Sequence, residues 1–327
     1  MESLIQRIEI LEKKVQKMES YFHHQTSGEK CNLTNNKHLI HQDSLSGAKK
    51  VISPISYTPA DPKDFSYETE SGELFSERFT GDRRLKSKCK ELAAFAGKGL
   101  RITAYNGFDV ESIVIPESID GVPVISIGQR AFMNMEISSV VIPRTVKAIL
   151  PKAFYNCKNL SNIDLPDGLE YIGEQCFRES GLKEIIIPDT VKVISKHCFS
   201  DCKPLTSVTF GKNVQKIESV AFSFCRLLNQ IILPESLVEL QDLCFLCTSV
   251  QVIIVPKNTK LVSNKIFGSS DYNNKVDIVF CGMDTEISGG PFYNVGTVYC
   301  LPGSAAQKYS REYRIPLKPL WEYSPDT

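Results

Sequence analysis

The chain predicts a mainly β solenoid, a pile of short turns of 22 or 23 residues, and three observations carry that expectation. Phenylalanine recurs at Phe132, Phe154, Phe177, Phe199, Phe222, Phe245 and Phe267. A second mark, at Pro143, Pro166, Pro188, Gly211, Pro234 and Pro256, stands eleven residues before the next phenylalanine every time. Apolar residues alternate just before that mark, as in Ile163-Asp164-Leu165-Pro166 and Ile185-Ile186-Ile187-Pro188. Two marks keeping one offset through six turns signify a repeated supersecondary unit whose neighbours bury what it cannot bury alone.

Each slot of the unit has a physical reason. Alternation before the proline is the pattern of a strand with one buried face. Proline ends the strand because it has no N–H for the ladder and a fixed φ. Three and six residues later come two inward aliphatics, for example Val191 and Ile194. A small residue then precedes the phenylalanine, which fills the interior of the coil. Cysteine behaves here as one more small apolar residue. Cys176, Cys198 and Cys244 take the slot held by Ala131, Ala153 and Ala221 in sister turns, and Cys157, Cys202 and Cys225 share the slot three after the phenylalanine with Ser180 and Thr248. Cys244-x-x-Cys247 and Cys198-x-x-x-Cys202 are lone pairs within that repeat background and predict neither a metal site nor any cofactor.

The pattern Ile-x-Ile-Pro-x-x-Val-x-x-Ile-x-x-x-Ala-Phe-x-x-Cys-x-x-Leu resembles the BspA-type leucine-rich repeat family of bacterial and protist proteins. Leu100–Gly107 is similar to that family's opening hairpin, Ile115–Val124 to its longer first turn, and Tyr299–Ala306 to its closing segment. The resemblance covers about residues 98–320 and implies a leucine-rich-repeat fold. It implies no single activity, because the family's members do many things; secreted relatives contact host matrix proteins.

Five segments are expected: a coiled-coil helix over 1–22, a flexible linker over 23–79, a capping helix over 80–97, the solenoid over 98–303, and a cap helix with tail over 304–327. Leu4, Ile8, Leu11, Val15, Met18 and Phe22 are spaced as a heptad seam, with β-branched or aromatic residues at a and unbranched or leucine side chains at d. Arg7 and Lys14 at g face Glu12 and Glu19 at e in a parallel pairing, so a homodimer or trimer is predicted. The linker lacks periodicity and is rich in Ser, Asn, Lys, Pro and Gly. Leu85, Cys89, Leu92 and Ala96 share a helical face ahead of Gly97. Ser304-Ala305-Ala306-Gln307 is a capping-box pattern that opens a short helix carrying Tyr309 and Tyr313 on one face.

Lys+Arg and Asp+Glu both total 38, so no global field recruits nucleic acid or an anionic membrane. No apolar run has the length of a signal peptide or a membrane span, and a cytoplasmic protein is the expectation, with the cell surface as the alternative. No nucleophile–base constellation, phosphate loop or metal spacing stands out from the repeat, so an enzyme is not expected.

Function is therefore sought on a surface. The outward strand position two before each proline, or its equivalent, reads Val114, Val141, Asp164, Ile186, Thr209, Ile232, Ile254 and Val279. Aliphatic residues rimmed by the polar positions four before each proline have the anatomy of a recognition patch. They also suit simple ladder stabilisation by β-branched side chains. The leading expectation is a non-catalytic scaffold that grips a protein partner there and is made multivalent by its coiled coil; the alternative is a surface adhesin.

Overall fold

The computed structural model describes residues 60–69, 98–107, 111–268 and 275–323. The heptad seam from Leu4 to Phe22 and the expected helix over 80–97 lie outside the described residues, as does most of the expected linker. Within them the chain is a mainly β solenoid whose every turn has three sides.

The first side is a strand ahead of each proline slot. It begins with Ser112–Val114, Ser139–Val141 and Asn162–Asp164, continues with Glu184–Ile186, Ser207–Thr209 and Gln230–Ile231, and ends with Val252–Val255, Val276–Phe280, Val295–Cys300 and Leu317–Pro319. Neighbouring turns pair in parallel and in register, for example Ser112 with Ser139 and Val140 with Ile163. The middle residue of each short strand points inward: Ile113, Val140, Ile163, Ile185 and Val208 are all buried. The wall nonetheless divides into three sheets. Its breaks fall between Asn162 and Glu184 and between Gln230 and Val252, the two steps where the spacing drops to 22 residues. The missing residue is in the link between the phenylalanine and the next inward aliphatic, six residues from Phe154 to Leu160 but five from Phe177 to Leu182. Gly181 permits the shortcut, since a Cβ there would collide with the Lys158 carbonyl. Its own N–H donates to the Cys157 carbonyl at 3.2 Å.

The second side follows the proline. Val122–Ile127, Ala148–Ile149 and Tyr171–Ile172 form one parallel run; Val193–Ile194, Lys216–Ile217, Glu239–Leu240, Leu261–Ser263 and Glu286–Ser288 form another. The run opens with β1 (Phe65–Thr69) paired antiparallel to β2 (Leu100–Tyr105), which itself pairs in parallel with Val122–Ile127. Here the expected linker over 23–79 needs correcting: Pro62–Asp64 is a 3-10 turn and β1 is a strand. A single apolar anchor explains the miss. Phe65 is buried against Tyr105 with ring centroids 5.1 Å apart, while the rest of β1 is exposed and polar. The pairing is therefore held by long-range backbone bonds rather than by a periodic pattern.

The third side carries the phenylalanines and is not a strand. Phe132 N–H donates to Ala153 O, Phe154 to Cys176 O, Phe177 to Cys198 O, Phe199 to Ala221 O and Phe222 to Cys244 O, each at 2.9 Å. The residues two before and two after each phenylalanine also donate to the next turn, as in Lys152 to Glu174 O and Asn156 to Arg178 O. To aim three alternate N–H groups the same way, those flanking residues adopt positive φ: Lys152 (62°) and Asn156 (59°), Gln175 (56°) and Glu179 (62°), His197 (55°) and Asp201 (60°), Val220 (64°) and Phe224 (62°).

Inside, the phenylalanines from Phe132 to Phe245 stack nearly parallel, with successive centroids 5.1, 5.5, 5.4, 5.3 and 5.9 Å apart. That separation is the offset-stacked arrangement aromatic rings favour. The cysteines named from repeat slots are buried and are not joined in disulfides. Cys157, Cys202 and Cys225 donate their thiols to the Phe132, Phe177 and Phe199 carbonyls at 3.0, 3.0 and 3.1 Å. Burial pushes the Cys157 and Cys202 thiols up to about 12, so both stay protonated. The far end is closed by α1 (Ala305–Glu312), whose Ser304 Oγ accepts from Gln307 N–H at 3.2 Å while Gln307 Oε1 accepts from Gly303 N–H at 2.9 Å. Tyr309 packs on Phe292 at 5.2 Å and donates to Gly290 O at 2.7 Å.

Candidate functional site

The eight outward positions of the first wall occupy one column but not one continuous patch. Val114, Val141 and Asp164 are aligned in register; so are Ile186 and Thr209, with Ile232 following on the next turn. Ile254 and Val279 form the third block. Val114, Val141 and Ile254 are half-buried, and Asp164 and Thr209 are exposed polar residues that interrupt the aliphatic run. Ile186 is 69% exposed and Ile232 37%. Val279 requires correction as a contact residue, because its exposure is 0%. Beyond it the sheet continues through Tyr299 and Lys318, and the Tyr299 and Tyr323 rings lie 5.3 Å apart. Burial raises the Tyr323 pKa, reinforced by Tyr299, Asp277 and Cys281, the last two being the residues that flank Val279 on this face. The returning C-terminal segment thus occupies this end of the wall.

The polar rim is ordered by the same ladder. Ser112 and Ser139 share a hydrogen bond at 2.7 Å, and Glu184, Ser207 and Gln230 align in register beside the isoleucines. One further exposed apolar residue lies at a corner of the wall. Leu227, 55% exposed, stands at the corner where the chain enters the strand that leads to Ile232. Its slot holds Asn159 and Pro204 in sister turns, so nothing in the repeat marked it as an exposed apolar position.

The family model for the BspA type leucine rich repeat region matches in six copies over residues 100–185 and 170–298, more than half of the chain. The chain belongs to the BspA-type leucine-rich repeat family. No curated protein matches it. Among solved structures, this BspA-type chain is similar to a leucine-rich repeat protein from Bacteroides ovatus (21% identity, 72% of this chain and 69% of that one, TM-score 0.38). It is also similar to the T. pallidum leucine rich repeat protein TpLRR (21%, 80% and 98%, TM-score 0.43) and to the pneumococcal vaccine antigen PcpA (20%, 63% and 72%, TM-score 0.41).

The other two sides of this BspA-type solenoid are less open. On the second wall the outward column starts with Arg101, Ser126, Ala148 and Tyr171, all buried. Neither Ala148 nor Tyr171 belongs to the interior core, so their burial is on the outer side of the wall. Farther along, Lys216 and Glu239 pair across the ladder at 2.9 Å. The third side carries a polar cluster. Tyr155 OH donates to Glu179 at 3.0 Å, and Arg178 bridges Glu179 (3.4 Å) and Asp201 (3.5 Å) with its guanidinium 5.9 Å from the Tyr155 ring centroid. His197 lies nearby, its pKa lowered by burial first and by Arg178 and Lys196 next, against an opposing pull from Asp201. Each of these side chains already has a structural partner or a cationic neighbour, an arrangement suited to tying three turns together. Among the described residues, no group of three or more His, Cys, Asp or Glu is placed to hold a metal, and no helix is long and apolar enough to cross a membrane.

Proposed function

We propose that this BspA-type chain is a non-catalytic interaction scaffold that takes a protein partner on its first wall. The contact centres on Ile186, Thr209 and Ile232, is extended by Ile254 on one side and by Asp164, Val141 and Val114 on the other, and gains Leu227 at the corner. The observation that carries this reading is Ile186, a large aliphatic side chain left 69% exposed on a wall whose backbone is paired from turn to turn. A side chain that only stabilised the ladder would be covered by its column neighbours, and Ile186 is not. Exposed apolar side chains within a polar rim are what a docking partner desolvates.

The seam of Leu4, Ile8, Leu11, Val15, Met18 and Phe22 supports a second part of the reading, in which two or three protomers join and present several walls at once. Linked sites of this kind raise avidity by about 10²–10⁴ when both can be reached. Replacing Ile186 and Ile232 together by lysine should remove quantitative capture of the partner while the melting curve stays that of the unmodified protein. Capture at the original level by the double variant would move the site off the first wall. Light scattering that returns the mass of one protomer at micromolar concentration would remove the multivalent part alone.

A further inference from the structure

We infer that the partner segment on the first wall is an acidic peptide bearing aliphatic side chains, its carboxylates set against a row of cations along one edge of the wall; this rests on the reading above. Where each turn leaves the third side and enters the first wall, four successive turns expose Lys158, Lys183, Lys203 and Arg226. Lys158, Lys203 and Arg226 stand four residues after Phe154, Phe199 and Phe222; in the shortened turn that slot is Gly181, and Lys183 stands two residues further on, just past the inward Leu182. Adjacent turns are about 4.8 Å apart, so the row is about 14 Å long, the reach of roughly four residues of extended peptide. Among the described residues none of the four is held in an ion pair.

The opposite edge of the wall shows that this is not the general condition of the surface. After the proline slot the corresponding residues are Arg144, Asp167, Asp189, Lys212, Glu235 and Lys257, of mixed sign, and Lys212 pairs with Asp189 at 2.9 Å. One edge is neutralised by its own residues, whereas the other carries four cations against one exposed carboxylate, Glu136 in the turn before Lys158, on a chain whose net charge is zero. The cationic edge is also held in place. Thr206 donates through its N–H (2.8 Å) and its hydroxyl (3.0 Å) to the Lys183 carbonyl, and the Ser249 hydroxyl donates to the Arg226 carbonyl at 2.6 Å. Leu227 follows Arg226 directly and Ile186 stands on the wall three residues after Lys183, so one segment carrying acidic and aliphatic groups can meet cations and apolar side chains together. A nucleic acid fits less well: the side chains alongside are aliphatic rather than base-stacking aromatics.

The test uses the full chain and three labelled peptides of about 12 residues with identical leucine spacing, the other positions being glutamate, glutamine or lysine. Fluorescence anisotropy should show the glutamate peptide binding at least about tenfold more tightly than the lysine peptide, with the difference shrinking as salt rises. Lys203→Glu with Arg226→Glu should abolish or invert that order while the melt is unchanged. Equal binding of all three peptides, no binding of any, an order unaffected by the charge reversal, or tighter binding of a single-stranded oligonucleotide would overturn the inference and leave the apolar first-wall site standing. Glutamate-peptide binding that survives Ile186→Lys with Ile232→Lys would overturn the reading of the wall itself.

Discussion

Val220 is the residue at which the repeat conflicts most with its own side chain. Its φ is 64°, a region that costs an L-residue about 1–2 kcal/mol and costs a β-branched residue most. It stays there because its N–H donates to the Asp242 carbonyl at 2.9 Å, one rung of the ladder that joins third sides. Sister turns hold Lys152, Gln175 and His197 in the same slot, none of them β-branched. Val220→Asn should therefore raise stability by roughly 1 kcal/mol, seen as a melting midpoint about 2–4 °C higher. A lower midpoint would mean that the valine methyls contribute more than the backbone strain removes.

His197 gives the same side of the molecule a pH dependence. Burial and the Arg178 and Lys196 charges keep its pKa below the ordinary value of 6.5. Above pH 6.5 the imidazole is neutral in both folded and unfolded chains and contributes no pH dependence. As pH falls below 6.5 the unfolded chain takes up a proton that the folded chain resists, so folding stability declines. Comparing chemical denaturation at pH 7.5 and 5.5, roughly one unit either side of the ordinary histidine value, should show a loss that is smaller in His197→Asn, which keeps a residue tolerant of positive φ. An identical loss in the variant would assign the effect to other groups. Neither Val220 nor His197 stood out in the sequence as conformationally special, because positive φ is imposed by bonds to the next turn and leaves no mark on residue type.

Strands, turns and caps were legible to different degrees. The inward positions could be read directly, since Ile113, Val140, Ile163 and Ile185 obey period-2 alternation and proline marks where each strand stops. So could α1, from a local capping pattern in which Ser304 Oγ accepts from Gln307 N–H while the Gln307 side chain accepts from Gly303 N–H, one residue before the N-cap. β1 could not, because one buried aromatic amid polar residues has no period. The one-residue shortening of two turns was visible in the spacing, but its effect on pairing was not. Glu184 and Ile186 lack a ladder partner in the preceding turn, whereas Ile187 N–H donates to Thr209 O at 2.8 Å. Amide hydrogen exchange at Glu184 and Ile186 should accordingly be faster than at Ile185 and Ile187. Uniform protection along that strand would mean that the break is bridged in solution.

The whole solenoid is stabilised by contacts between turns, so damage to one turn is felt by its neighbours. Phe199 lies between Phe177 and Phe222 with centroid distances of 5.4 and 5.3 Å and is fully buried. Phe199→Ala should cost roughly 3–5 kcal/mol, measured by chemical denaturation, by leaving a cavity in the middle of the stack. A loss under about 1 kcal/mol would show that the turns collapse around the gap. A rigid stack with one exposed aliphatic patch and one cationic edge is also what the proposed activity needs.

Pitch and the identity of the interior residues were determined by the sequence alone, because they follow from local alternation, from proline's missing donor and from the size of one ring per turn. The tertiary structure decided which outward residues remain available. Ile186 and Val279 occupy equivalent slots with similar side chains, yet one is left open and the other is closed over by a chain segment that returns from the C-terminal end. Exposure depends on what arrives from elsewhere in the chain, and a repeat pattern describes only what each turn contributes of its own.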